Sequence, residues 1–154
     1  MIFQWNSRSI STNLSAFENH ISQRIYCILA LQFLNVEKKN LPRMKNSYYP
    51  PLCNSNMKTK KVQTAIYIRS DLEYTILISS PVTNAMEEVY ATTAMVKINE
   101  QTTLNVISVY FPNGPKSDNR LDKRHCIVKQ ELCDCGRFQC QCTFWGKRMY
   151  TSDL

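Results

Sequence analysis

Four thiols crowd into ten residues of this chain, CDCGRFQCQC (133–142). Thiolates at that density are potential ligands for Zn²⁺ or Cu(I). The spacing argues against it, because structural zinc sites place paired ligands roughly two to four residues apart and Cys-x-Cys pairs strain a mononuclear tetrahedron. Three other residues stand where chemistry is commonly delivered, at the ends of apolar runs: Asn6 after IFQW, Gln32 after ILAL, and Tyr110 after VISV. In an α/β protein such a run ends at the carboxyl edge of a sheet, where a polar side chain is handed to a site. Taken singly, Asn6 reads equally as a turn residue capping a strand end, and Tyr110 as a core aromatic. A third group is basic: Arg8, Lys58, Lys60, Lys61 and Arg69, together with Lys38, Lys39, Arg43 and Lys45. These side chains suit a phosphate backbone, although a run of charge is more often a solvated face.

The elements that must position these residues alternate in type. IFQWN is a short β-rich run ending in the polar cluster NSRSISTN, from which Ser11 or Thr12 could cap a helix. Leu14, Phe17 and Ile21 recur at helical spacing, and the continuous run YCILALQ has the signature of a strand buried on both faces. Strand, helix, strand is a βαβ unit or its mixed-sheet relative. Residues 35 to 61 read as a long, proline-bearing basic loop. Four further β-rich segments follow, QTAIYIRS, EYTILIS, YATTAMVKI and TLNVISVYF, and the charged stretch SDNRLDKRHCIVKQEL reads as a helix. The pattern predicts strands at about 1–6, 25–32, 63–69, 73–79, 89–98 and 103–111, with a helix near 13–23.

The 154 residues suit one domain, and a chain of that size buries about 68–70% of its unfolded surface. A composition 44% hydrophobic and 20% charged excludes a disordered polymer. Nineteen Lys and Arg against twelve Asp and Glu give +7, which suits a polyanionic partner and equally keeps a small domain soluble. MIFQWNSRSI lacks the basic and apolar regions of a signal peptide, and YCILALQFL is far shorter than the roughly 20 residues that span a bilayer. An intracellular protein, nuclear or cytoplasmic, is expected, with no membrane partner and no small-molecule cofactor. The odd count of seven cysteines, five of them between Cys126 and Cys142, fits that expectation.

Four motifs fall in order along the chain: QWNSRSI (4–10), ALQFL (30–34), TAIYIRSDL (64–72) and ISVYFPNGP (107–115). Together they resemble the endonuclease/exonuclease/phosphatase superfamily, specifically the apurinic-type endonuclease domain at the front of non-LTR retrotransposon polyproteins, the jockey-like group included. The resemblance implies an α/β fold, a four-layer sandwich of two packed mixed sheets flanked by helices, here partial and incomplete at the C-terminus. It divides the chain into a body, 1–125, and a degraded Cys-rich continuation of the same domain, 126–154. It implies a Mg²⁺-dependent phosphodiester hydrolase acting on DNA, with Asn6 near the metal and Tyr110 donating to a phosphate oxygen.

Where the chain departs from the family pattern, the departures fall on catalytic positions. The family reads ALQETFL where this chain reads ALQFL, so the metal-binding glutamate is missing after Gln32, and a neutral amide is a poor substitute for a carboxylate on a hard divalent ion. GRFQCQCTFWG (136–146) stands in register with a family segment that begins GDFN, so Arg137 occupies the place of the catalytic Asp and Gln139 that of the Asn. A guanidinium neither holds a cation nor orients a water. The family's closing Asp-His pair lies beyond Leu154, and His20 and His125 fall in expected helices. The resemblance therefore implies an inactive endonuclease fragment that binds no Mg²⁺ and touches DNA weakly through its backbone. The alternatives are a basic nucleic-acid-binding remnant without catalysis, and a small cysteine-metal-binding protein.

Overall fold

The computed structural model describes residues 1–44, 47–55, 59–77, 82–84, 87–110, 112, 126–132, 142–144 and 150–152. They form a mixed α/β structure of two sheets with few helices. The strands are β1 (Ile2–Asn6), β2 (Ile28–Glu37), β3 (Leu52–Ser55), β4 (Lys61–Ile68), β5 (Glu73–Leu77), β6 (Val82–Asn84), β7 (Glu87–Asn99), β8 (Thr102–Tyr110), β9 (Cys126–Leu132), β10 (Cys142–Phe144) and β11 (Tyr150–Ser152). The first sheet runs β11-β1-β2-β4-β3 and the second β10-β9-β8-β7-β5, with β6 on β7. β1 and β2 are parallel, Ile2 opposite Ile28 through Asn6 opposite Gln32, and β4 is antiparallel to β2.

The βαβ unit forms as its periodicity predicts. The helix α1 (Leu14–Ser22) turns Leu14, Phe17 and Ile21 onto the outer face of the first sheet, against Phe3, Leu29, Leu31 and Tyr67. Trp5 stacks on Phe17 with ring centroids 5.4 Å apart. Neither Ser11 nor Thr12 caps the helix: Asn13 holds the N-cap position without a side-chain capping bond, and its amide instead donates to Ser7 O at 2.8 Å. The inner face carries a second apolar cluster, Ile2, Ile28, Ala30, Ile66 and Ile68 from the first sheet against Ala94, Val96, Leu104 and Val106 from the second. That cluster fixes the sheets face to face. No helix among the described residues is long and apolar enough to cross a membrane.

Besides the helix cap and the short strands β6, β10 and β11, the structure departs from the pattern-based reading in three further places. β2 does not stop at Gln32 but runs on to Glu37, through a register shift between Gln32 and Val36. The stretch 35–61 is not one loop: it holds a 3-10 turn (Lys38–Asn40), a bridge between Tyr48 and Arg69, and β3. Its proline-bearing part is pinned by phenols, Tyr67 OH donating to Pro42 O at 3.0 Å and Tyr48 OH to Tyr26 O at 2.7 Å. Finally, Cys126–Leu132 is a strand paired with β8 rather than part of a helix, since an open strand edge outweighs a weak helical preference. The remainder of that expected helix, His125 included, lies outside the described residues.

Candidate functional site

Alternation along a strand sends every second side chain to the inner face, and on the central strands that face changes character at one level. β2 presents Ile28 and Ala30, then Gln32; β4 presents Ile68 and Ile66, then Thr64; β7 presents Val96 and Ala94, then Thr92; β8 presents Leu104 and Val106, then Ser108. β3 adds Asn54 and β1 ends in Asn6. Six strands thus deliver three amides and three hydroxyls to one layer at the carboxyl end of the parallel pair.

Most of this layer is bonded across the gap between the sheets. Gln32 Nε2 donates to Ser108 Oγ at 3.2 Å, and Ser108 Oγ donates to Leu31 O at 2.9 Å. The hydroxyls of Thr64 and Thr92 lie 2.8 Å apart, and Asn54 Nδ2 donates to Ala91 O at 3.0 Å. Asn6 is the exception. Both Oδ1 and Nδ2 are shut off from solvent, and neither has a hydrogen-bond partner among the described residues. An orphaned buried polar group costs about 1–3 kcal/mol, so Asn6 is a place where the fold forgoes stability.

Aromatic rings close the layer from above. Phe33 should alternate to the outer face, but its backbone sits in the left-handed region at φ 53, and Asn35 follows at φ 52. The bulge brings Phe33 to the same side as Gln32. Its ring stacks on Tyr110, centroids 4.8 Å apart and planes at 10°, and Tyr110 stacks on Tyr90 at 6.4 Å. A bulky residue at positive φ persists only where its surroundings impose it. Here Ser7 does so through Oγ donated to Gln32 O (3.2 Å) and Phe33 O (3.0 Å), and Ser9 N donates to Phe33 O at 2.8 Å. The SRS turn after QWN is therefore the clamp on the bulge.

The expected site residues divide by position. Asn6 and Tyr110 come together at this end with Gln32 between them, and Arg8, itself at φ 48, stands exposed on its rim. Lys60 precedes β4 and Lys61 opens it at the same end, Lys61 opposite Glu37. Arg69 follows the other end of β4, where its guanidinium grips Asp71 through Nε–Oδ1 (2.5 Å) and Nη2–Oδ2 (2.7 Å) and holds that carboxyl below its ordinary range. Seven residues of strand, about 23 Å, separate Lys61 from Ile68, so Arg69 does not share a surface with Arg8. Lys58, Arg137 and Gln139 lie outside the described residues, as do three cysteines of the tail, Cys133, Cys135 and Cys140.

Among the described side chains, the donors at this end do not suit a Mg²⁺ ion of the kind the resemblance implies. A hard cation needs carboxylate oxygens, and the layer offers only neutral amides and hydroxyls. Glu37 on the rim is engaged by Lys39 at 2.8 Å, which holds its carboxyl below the ordinary range. Among the described residues there is no cluster of three His, Cys, Asp or Glu able to hold a metal. Residues missed on sequence alone are Asn54, Thr64, Thr92 and Ser108; for the three hydroxyls the signal was the inner-face positions of TAIYI, TTAMV and LNVIS read side by side. Comparison with protein-family models, curated proteins and solved structures returns no match to this chain.

Proposed function

We propose that the chain is a catalytically silent domain of the endonuclease/exonuclease/phosphatase type, derived from the apurinic-type endonuclease of a non-LTR retrotransposon and retaining contact with the DNA phosphate backbone. The observation that supports this reading is convergence. Asn6 of QWN and Gln32 of ALQ, delivered by separate strands, stand opposite each other across the parallel pair, and Tyr110 of SVYFP arrives at the same end from the second sheet. That motifs chosen for their order along the chain meet at one edge supports reading them as parts of one site. The face-to-face sheets with α1 outside the first belong, on this reading, to a four-layer sandwich.

Silence follows from the donor set. Phosphodiester hydrolysis assisted by a metal requires the ion held, the water oriented and the leaving oxygen stabilised, and groups that act as a unit fail as a unit. The polar layer has no carboxylate, and the Phe33 ring stands in the place that follows Gln32. The experiment is nicking of supercoiled plasmid with Mg²⁺ or Mn²⁺: no product above background is expected, and a variant with Glu-Thr inserted after Gln32 stays silent because Arg137 and Gln139 remain. Binding of duplex DNA that weakens steeply with salt is expected beside it. Nicking by the natural chain that disappears in Tyr110→Phe or Asn6→Ala overturns the reading.

A further inference from the structure

We infer that the aromatic lid over the polar layer is a stacking platform for a base of single-stranded nucleic acid, with Phe33 as the contacting ring. This rests on the preceding reading only for the class of partner. Tyr90 and Tyr110 are 3% and 7% exposed, and of the three stacked rings Phe33 alone is partly open to solvent. Its orientation is imposed rather than relaxed: a strained φ of 53, clamped by Ser7 and Ser9, lifts it out of the alternation that would bury it beside Leu31 and Leu34. A ring whose rear face is already stacked has lost its freedom before a ligand arrives, so a base stacking on it meets little ordering cost.

The rim supplies the complementary charge. Arg8 is exposed and makes no ion pair among the described residues, and Lys38, Lys39, Lys60 and Lys61 stand at the same end, where Lys39 pairs with Glu37 and β7 opens with Glu87 and Glu88. A flat apolar ring beside several cations matches a single strand, whose bases are free to leave the stack and whose phosphates track a basic rim. A duplex keeps its bases paired and offers the ring nothing. A phosphopeptide would meet the cations but leave the ring without a planar partner.

The test is fluorescence anisotropy of a labelled fifteen-residue oligothymidine and of a duplex of equal length, at several salt concentrations. The natural chain is expected to favour the single strand. Phe33→Leu should weaken that binding about 10-fold with an unchanged salt slope, since one base stack is lost and no cation. Arg8→Ala should instead lower the slope by about one. Phe33→Trp, which keeps the platform, should retain affinity, and its emission should be quenched when the strand binds; this variant decides the matter if Phe33→Leu does not fold. Binding to both probes with no loss in Phe33→Leu, or an unquenched Phe33→Trp, overturns the stacking platform and leaves the proposed function intact. Binding to neither probe overturns both.

Discussion

Gln32 and Ser108, on different sheets and 76 residues apart, are joined by one hydrogen bond of 3.2 Å from the amide to the hydroxyl. The hydroxyl's own proton is already committed to Leu31 O, so Ser108 faces Gln32 only as an acceptor. The site therefore selects a hydrogen-bond donor at position 32.

Gln32→Glu would set a carboxylate against that acceptor in a buried place. Burial raises the folded-state pKa of the new group above its unfolded value near about 4.3, so the variant should match the natural chain at low pH and lose stability as pH rises through that range, by about 3 kcal/mol at pH 7. Urea melts of both proteins at acid and neutral pH give the difference. A pH-independent difference, or one abolished by added Mg²⁺, would show that the carboxylate finds a partner.

The Thr64–Thr92 pair can be separated from its parts. Thr64→Val or Thr92→Val alone leaves a buried hydroxyl without its partner and should cost about 1–3 kcal/mol, whereas the double replacement should cost little more than either. A double-mutant cycle reads the coupling directly, and strict additivity would mean the two hydroxyls are not bonded.

Asn6→Leu keeps the branched outline of the side chain, at a larger volume, and removes two orphaned polar atoms. It should leave the melting temperature unchanged or raise it, corresponding to a gain of up to about 1 kcal/mol. A large loss would sink the assignment of that amide as unpartnered.

Burial pushes the Tyr67 phenol above its ordinary value of 10.0. Because the folded state holds the proton more tightly than the unfolded chain, the resulting stability is full below pH 10 and is lost as pH rises toward the folded-state value. Tyr67→Phe should be less stable than the natural chain at neutral pH by about 1 kcal/mol, having left Pro42 O without its donor, and should lose less between pH 9 and pH 12. Parallel denaturation curves across that range check both halves.

Much of the fold was legible because its signals are local. Leu14, Phe17 and Ile21 announce α1, the unbroken YCILALQ announces the buried β2, and the period of two in LNVISVY announces a strand with one face inside. What escaped were features decided between distant segments. The continuation of β2 through Phe33 depends on Ser7 and Ser9 holding a bulge, and nothing in ALQFLNVE states that those serines lie above it. β3 forms because β4 presents an open edge to LCNS, and β9 because β8 does so to CIVKQEL. The site was half legible: Asn6 and Tyr110 carry their pattern in short motifs, whereas Arg69 was grouped with Arg8 by charge, and chain direction put them at opposite ends of β4.

The two ends of the packed pair of sheets are held by forces with different temperature dependence. One end is joined by hydrocarbon, Ile28, Ile66, Ile68, Val96 and Leu104, and the other by directed bonds at Gln32, Thr64, Asn54 and Ser108. Hydrophobic attraction fades on cooling and hydrogen bonds do not. The sheets are thus a jaw whose hinge lies at the polar layer: near freezing, or under pressure, the aliphatic end should part first while the amide and hydroxyl contacts keep the register. Amide hydrogens around Ile28, Ile68 and Leu104 would then exchange ahead of those around Gln32 and Ser108, reversing the order that burial alone would set.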